Sequence, residues 1–98
     1  MKCALITGGS GGIGSAIARR LAHDGYHVVV HANRSLDKAQ QVVADILATG
    51  GSAQAVAFDV TDRLACAAAL QELSDQRPIQ ILVNNAGAIN LVGVEATS

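Results

Sequence analysis

Hydrophobic residues along this chain come in two alternating arrangements: short unbroken apolar runs, and longer stretches in which they recur every three or four positions. Cys3–Thr7 is the first run, with the length and apolar content of a buried strand. Ile13, Ile17 and Leu21 then repeat at four-residue intervals, with Ala16 and Ala18 between them and Gly25 at the stop position. That pattern predicts an amphipathic helix closed by a glycine C-cap. His27–Ala32 (HVVVHA) is a β-branched strand. Ser35 stands where a helix cap belongs, and Ala39, Val42, Val43, Ile46 and Leu47 share one face of the helix that runs up to Gly50 and Gly51. Ala53–Phe58 reads as a third, weaker strand. Thr61 or Asp62 opens a third helix through Leu64, Ala68 and Leu73. Pro78 marks its exit, and Ile79–Asn84 (IQILVN) is a fourth strand.

The order is β-α-β-α-β-α-β. Apolar strands separated by helices of this length predict an α/β fold with a parallel sheet covered on both faces. Right-handed crossovers leave few topologies, and the leading one is a doubly wound sheet of four strands in the order 3-2-1-4. Ligands of such sheets lie beyond the carboxyl ends of the strands.

Composition narrows the partners. The 98 residues make one small domain or a piece of a larger protein, 50% hydrophobic and only 15% charged. Net charge is −1, and the aromatic residues are Tyr26 and Phe58 alone. With no basic patch and no stacking platform, neither nucleic acid nor an anionic membrane is an expected partner. No apolar stretch reaches the ~18 residues of a membrane span, and the amino terminus lacks a signal-peptide core. The chain reads as cytoplasmic. Cys3 and Cys66 lie in apolar surroundings, far apart and without ligand spacing, and read as buried apolar residues rather than a disulfide or a nucleophile. His23, His27 and His31 have no carboxylate or cysteine at metal-ligand spacing, so no metal site is expected.

The candidate chemistry begins with TGGSGGIG, which places five glycines in the seven positions from Gly8 to Gly14. The segment falls at the first β-to-α turn, where the free N–H groups and positive end of a helix face whatever lies above the strand ends. Gly9, Gly11 and Gly14 satisfy G-x-G-x-x-G, while Thr7-Gly8, Gly12 and Gly14 satisfy T-G-x-x-x-G-x-G. A strand before, a helix after and a βαβ unit around it make this a candidate dinucleotide loop. No Gly-Lys-Ser/Thr follows, so it is not a nucleoside-triphosphate loop of the Walker type. The other reading is a tight turn without a ligand.

At the end of the second strand, where an acidic residue would hold a ribose 2′-hydroxyl, stand Asn33, Arg34 and Ser35. Arg34 offers a planar fork to a 2′-phosphate, with hydrogen bonds from Asn33 and Ser35, which favours NADP over NAD. Alternatively Arg34 is a solvated residue before a helix. Asp59 and Val60 follow the third strand, and Asn84 and Asn85 end the fourth. On spacing alone, the acid is also a plausible helix-start residue and the asparagines plausible turn formers.

Taken together, TGGSGGIG, DV and NNAG at these intervals resemble the short-chain dehydrogenase/reductase family, most of all its 3-oxoacyl-(acyl-carrier-protein) reductase branch, over residues 2 to about 88. The resemblance implies a Rossmann-type domain binding NADP over residues 1–88, with 89–98 as a tail. It implies Gly8, Ser10, Gly12, Ile13 and Gly14 near the cofactor phosphates and adjoining ribose, and Asn33, Arg34 and Ser35 as the NADP-selecting segment. Asp59 and Val60 then flank the adenine, and Asn85, Ala86 and Gly87 the adenosine ribose. It further implies hydride transfer to a carbonyl such as a 3-oxoacyl thioester, a step of fatty acid biosynthesis.

The family's catalytic serine and its tyrosine with a lysine four residues on have no counterpart. Tyr26 is followed at that distance by Val30, and the lysines are Lys2 and Lys38. The expectation is therefore the cofactor-binding part of a reductase, inactive by itself. The alternatives are a non-enzymatic NADPH-binding module or an inactive remnant. The uncharged strand 79–84 would form a sheet edge, predicting self-association or pairing with a missing carboxyl-terminal half.

Overall fold

The computed structural model describes residues 1–85. Seven elements follow in the expected order: β1 (Cys3–Thr7), α1 (Gly12–His23), β2 (His27–Ala32), α2 (Leu36–Ala48), β3 (Ser52–Ala57), α3 (Arg63–Gln76) and β4 (Ile79–Asn84). The strands form one parallel sheet in the order β3-β2-β1-β4. The bounds of β1, β2 and β4 match the apolar runs. β3 starts one residue earlier than its apolar run because the Gly50–Gly51 turn delivers Ser52 directly opposite His27. Gly50 has φ 86°, and the Gly51 N–H returns to the Ile46 carbonyl at 3.0 Å. The expected tail, 89–98, lies outside the described residues.

Strand side chains alternate between the two faces and build two cores. On one face Ala4, Ile6, Val28, Val30 and Ala32 meet Ala18 and Ala22 of α1 and Ala39, Val42 and Ile46 of α2. On the other, Cys3, Leu5, Val29 and Leu82 meet Leu70 and Leu73 of α3. Burial of each large aliphatic side chain contributes roughly 1.5–3 kcal/mol, which is what holds a domain with so few aromatics.

Helices α1 and α3 turn differently from their expected faces, whereas α2 buries Ala39, Val42 and Ile46 of the face expected for it. In α1 the inward stripe is Gly14, Ser15, Ala18 and Ala22. These small residues let the helix approach the sheet closely, and Ile13, about 100° around the axis from Gly14, is 73% exposed. Ile17 and Leu21 pack only at the margin. In α3 the buried stripe is Cys66, Leu70 and Leu73, so Leu64 and Ala68 face outward and Leu64 is 85% exposed. In α2, Leu47 also points out. Ser35 occupies the cap position of α2 without a side-chain capping bond, whereas Asp62 caps α3 by accepting from the Ala65 N–H at 3.1 Å. Gly25 ends α1 with φ 98°, as its position predicts.

β3 and β4 are the two edges of the described sheet. Leu82 of β4 faces the α3 core rather than solvent. Among the described residues no helix is long and apolar enough to cross a membrane.

Candidate functional site

The parallel order places four connections at one end of the sheet: the glycine loop after β1, Asn33–Ser35 after β2, Phe58–Asp62 after β3, and Asn85 after β4. Hydrogen bonds tie them together. Thr7, the last residue of β1, donates through Oγ1 toward the Val83 carbonyl and Asn84 Oδ1, both at 3.3 Å. Asn85 Nδ2 donates to the Gly8 carbonyl at 3.2 Å. Asn33 Oδ1 accepts from the Val60 N–H at 2.9 Å, joining the ends of β2 and β3. The sequence-derived residues are thus neighbours, and Asn33 and Asn85 act first as struts. Ala86 and Gly87 lie outside the described residues.

The glycine loop is shaped by two positions above all. Gly8 has φ 65°, a left-handed conformation that favours glycine, and its carbonyl accepts from the Gly11 N–H at 3.1 Å. At Gly14 a Cβ would fall on the Gly8 carbonyl oxygen, 2.8 Å from the Gly9 Cα and 2.9 Å from Asn85 Nδ2. Gly9, the first glycine of the G-x-G-x-x-G spacing though not among the residues assigned to the cofactor, is tight but less so, with Ile6 O at 3.0 Å and Val30 Cγ1 at 3.1 Å from its would-be Cβ. Around Gly12 there is open space. Gly11 is the N-cap of α1 and brings no side-chain acceptor, so the N–H groups of the first turn face outward without a side-chain cap.

A groove of about 490 Å³ runs from this loop to α2, lined chiefly by Ser10, Gly11, Gly12, Ser15, Lys38 and Gln41. The Arg19–Asp45 ion pair, 2.9 Å long, closes its far end. Arg34 is exposed before α2 and makes no ion pair among the described residues, while Lys38, itself exposed, brings an ammonium group to the groove lining. Lys38 was not evident in sequence. Its three-residue spacing from Ser35, on the first turn of a helix facing the loop, is the signal that points to it.

Asp59 folds into its own turn, with Oδ1 accepting from the Thr61 N–H at 2.9 Å and the Thr61 hydroxyl at 2.7 Å. The Thr61 hydroxyl and amide hold its carboxyl below the ordinary carboxylate range, against the effect of desolvation, with Arg34 and Asn33 pulling the same way as Thr61. His31 also belongs to the site, though no motif marks it. Fully buried, it accepts from the Gly8 N–H through Nδ1 at 3.0 Å and lies 2.7 Å from the Phe58 carbonyl through Nε2. Burial pushes its titration below the ordinary histidine value, opposed by that carbonyl. His27, by contrast, spends its ring nitrogens on Ser52 Oγ and Gln54 Oε1 at the far end of the sheet. The two cysteines are free and buried, and burial raises both thiols.

Tyr26 is remote from all this. It shares a 230 Å³ hollow with Lys2 and Gly25 at the amino-terminal ends of the strands. Five residues of β1 separate that hollow from the loop, about 16 Å of strand.

Residues 2–98 match the family of short chain dehydrogenases. The chain belongs to that family. It is 46% identical over 87 residues to the uncharacterized oxidoreductase UxuB of Bacillus subtilis, covering 88% of this chain and 31% of that protein. It is 42% identical over 87 residues to the 3-oxoacyl-(acyl-carrier-protein) reductase FabG of Staphylococcus aureus, covering 88% of this chain and 35% of that one. A metagenomic short-chain oxidoreductase solved in complex with NADP superposes with a TM-score of 0.84 at 40% identity, over 89% of this chain and 39% of that structure. The chain therefore spans about a third of the length of the curated short-chain dehydrogenase relatives it matches.

Proposed function

We propose that this chain is the dinucleotide-binding part of an NADP-dependent short-chain reductase whose substrate is a carbonyl such as a 3-oxoacyl thioester. The observation that carries the cofactor choice is the groove beside the glycine loop. Lys38 lines it, and the end of β2 offers Asn33, Arg34 and Ser35 where a ribose 2′-hydroxyl would need a carboxylate. Asp37, in the first turn of α2, is exposed to solvent. A 2′-phosphate placed there meets a planar fork and an ammonium group.

The remaining residues fit the same ligand. Gly8, Gly12 and Gly14 keep the loop backbone low, and the open space over Gly12 admits a pyrophosphate against the uncapped amides of α1. Ser10 adds a hydroxyl at the groove, and Ile13 presents an exposed apolar side chain that a bound dinucleotide would cover. We assign Asp59 and Val60, after β3, to the adenine, and Asn85, with Ala86 and Gly87 next in sequence, to the adenosine ribose. When bound, NADPH supplies the hydride. The chain's own part is to bind and orient it.

The 98-residue chain alone carries no Tyr-x-x-x-Lys pair, and Tyr26 with Lys2 sits at the wrong end of the sheet. We therefore assign it binding without turnover. We place it in the cytoplasm, since its two thiols are buried and unpaired, as suits a reducing compartment. Its uncharged β4 edge takes a second copy of the chain or the rest of a longer protein as partner. Isothermal titration with NADPH and NADH tests the reading: NADPH binds more tightly, and absence of binding to both refutes it.

A further inference from the structure

His31 reaches across three strand ends with a single ring. Its partners are a backbone N–H on one side and a backbone carbonyl on the other. An amide N–H only donates and a carbonyl only accepts, so these neighbours fix the neutral imidazole with its proton on Nε2. The ring is fully buried and lies tilted against Phe58, with centroids 4.2 Å apart. Gly8, the residue it grips, is the junction of the loop. The Gly8 carbonyl holds both the Gly11 N–H and Asn85 Nδ2.

We propose that His31 is a positioning residue for dinucleotide binding, holding Gly8 in the binding conformation while neutral and releasing it when the ring takes up a second proton. This rests on the dinucleotide reading above and adds to it a residue that touches no ligand. The second proton belongs on Nδ1, where it meets the Gly8 N–H donor to donor, so that bond breaks. The resulting imidazolium keeps only the Phe58 carbonyl as a partner in a buried site, which is costly. The chain relieves this by moving Gly8 away, and the turn closed by Gly11 and the Asn85 strut move with it.

The other ionisable or charged groups at this end of the described sheet stand on the loops and helix starts. Arg34 lies beyond β2, Asp37 and Lys38 are in the first turn of α2, Asp59 follows Phe58, Asp62 caps α3 with Arg63 next to it, and the Cys66 thiol of α3 lies against the Asp59 and Val60 carbonyls. Residues Thr7 to Gly14 contain none. Asp59 titrates below the ordinary carboxylate range and so stays ionised between pH 7.5 and pH 5.

The test compares the full 98-residue chain with His31→Asn, whose amide oxygen stands about where Nδ1 does and does not titrate. Binding of NADP is measured by calorimetry from pH 7.5 to pH 5. The 2′-phosphate titrates in the same range but contributes equally to both proteins. The native chain is expected to lose affinity several-fold more than the variant, up to about thirtyfold, the limit at pH 5 for a group titrating at or below 6.5. Parallel curves overturn the proposal. In the same samples NMR follows the Gly8 amide and the His31 ring nitrogens, which needs no ligand. The Gly8 amide shift is expected to move in step with ring protonation. A Gly8 amide that ignores the titration, or unfolding before His31 titrates, overturns it. If NADP does not bind at pH 7.5, the dinucleotide reading fails and with it the role in binding, while the Gly8 signal alone decides whether His31 controls the loop.

Discussion

Gly14 lies directly under Gly8: a Cβ built on the first would fall on the carbonyl oxygen of the second. The obstruction is backbone, which cannot rotate aside as a side chain would. Gly14→Val should therefore push the glycine loop off α1, destabilising the fold by about 1–3 kcal/mol as overpacking does and abolishing NADPH binding. Urea denaturation and calorimetry measure the two effects. Native-like NADPH affinity in the variant would mean that the loop is only a turn.

Arg34 carries the expected cofactor preference. One charge-assisted contact to a 2′-phosphate contributes about 1.5–3 kcal/mol, a ten- to hundredfold preference for NADPH over NADH and for 2′,5′-ADP over 5′-AMP. Arg34→Ala should remove most of that gap, and Lys38→Ala a smaller share. Equal affinities in the unaltered chain would sink the assignment.

Stability should fall on acidification because of His31. Its folded-state titration lies below the unfolded value near 6.5, so the unfolded chain binds more protons as pH drops through that range. The stability contributed by the neutral ring is complete above pH 6.5 and is lost progressively below it. Chemical denaturation at pH 7.5 and pH 5 should show a larger drop for the native chain than for His31→Asn.

Catalysis is expected to be absent from this chain. General acid catalysis requires a positioned donor of tuned pKa, and Tyr26 stands at the opposite end of the sheet from the glycine loop. Rigorously purified chain should not oxidise NADPH in the presence of an acetoacetyl thioester at enzymic rates. Measured turnover would overturn the assignment.

Self-association is expected at β4. IQILVN carries no charge and no proline, and it lies at the edge of the described sheet. Leu82 packs inward against Leu5 and Leu70, so replacing it with lysine would injure the core instead of blunting the edge. Sedimentation at micromolar concentrations should show species larger than a monomer. A stable monomer at high concentration would mean that the edge is covered.

The sequence by itself determined the order of the seven elements, the parallel sheet and the gathering of special residues at one end of it. Those follow from local periodicity, from glycines that must turn, and from the single hand of βαβ crossovers, all of which a linear pattern contains. It determined the inward stripe of α2 but not those of α1 and α3. Ile13 and Leu64 belong to apolar repeats as regular as the buried ones, but small residues such as Gly14 and Ala18 let the α1 backbone come closer to the sheet, and the larger side chains were displaced outward. Nor did it reveal His31 or Lys38. His31 meets Gly8 across 23 positions, and Asn85 meets the same glycine across 77. No local pattern encodes such pairs, because what joins them is the register of neighbouring strands, which exists only once the sheet has formed.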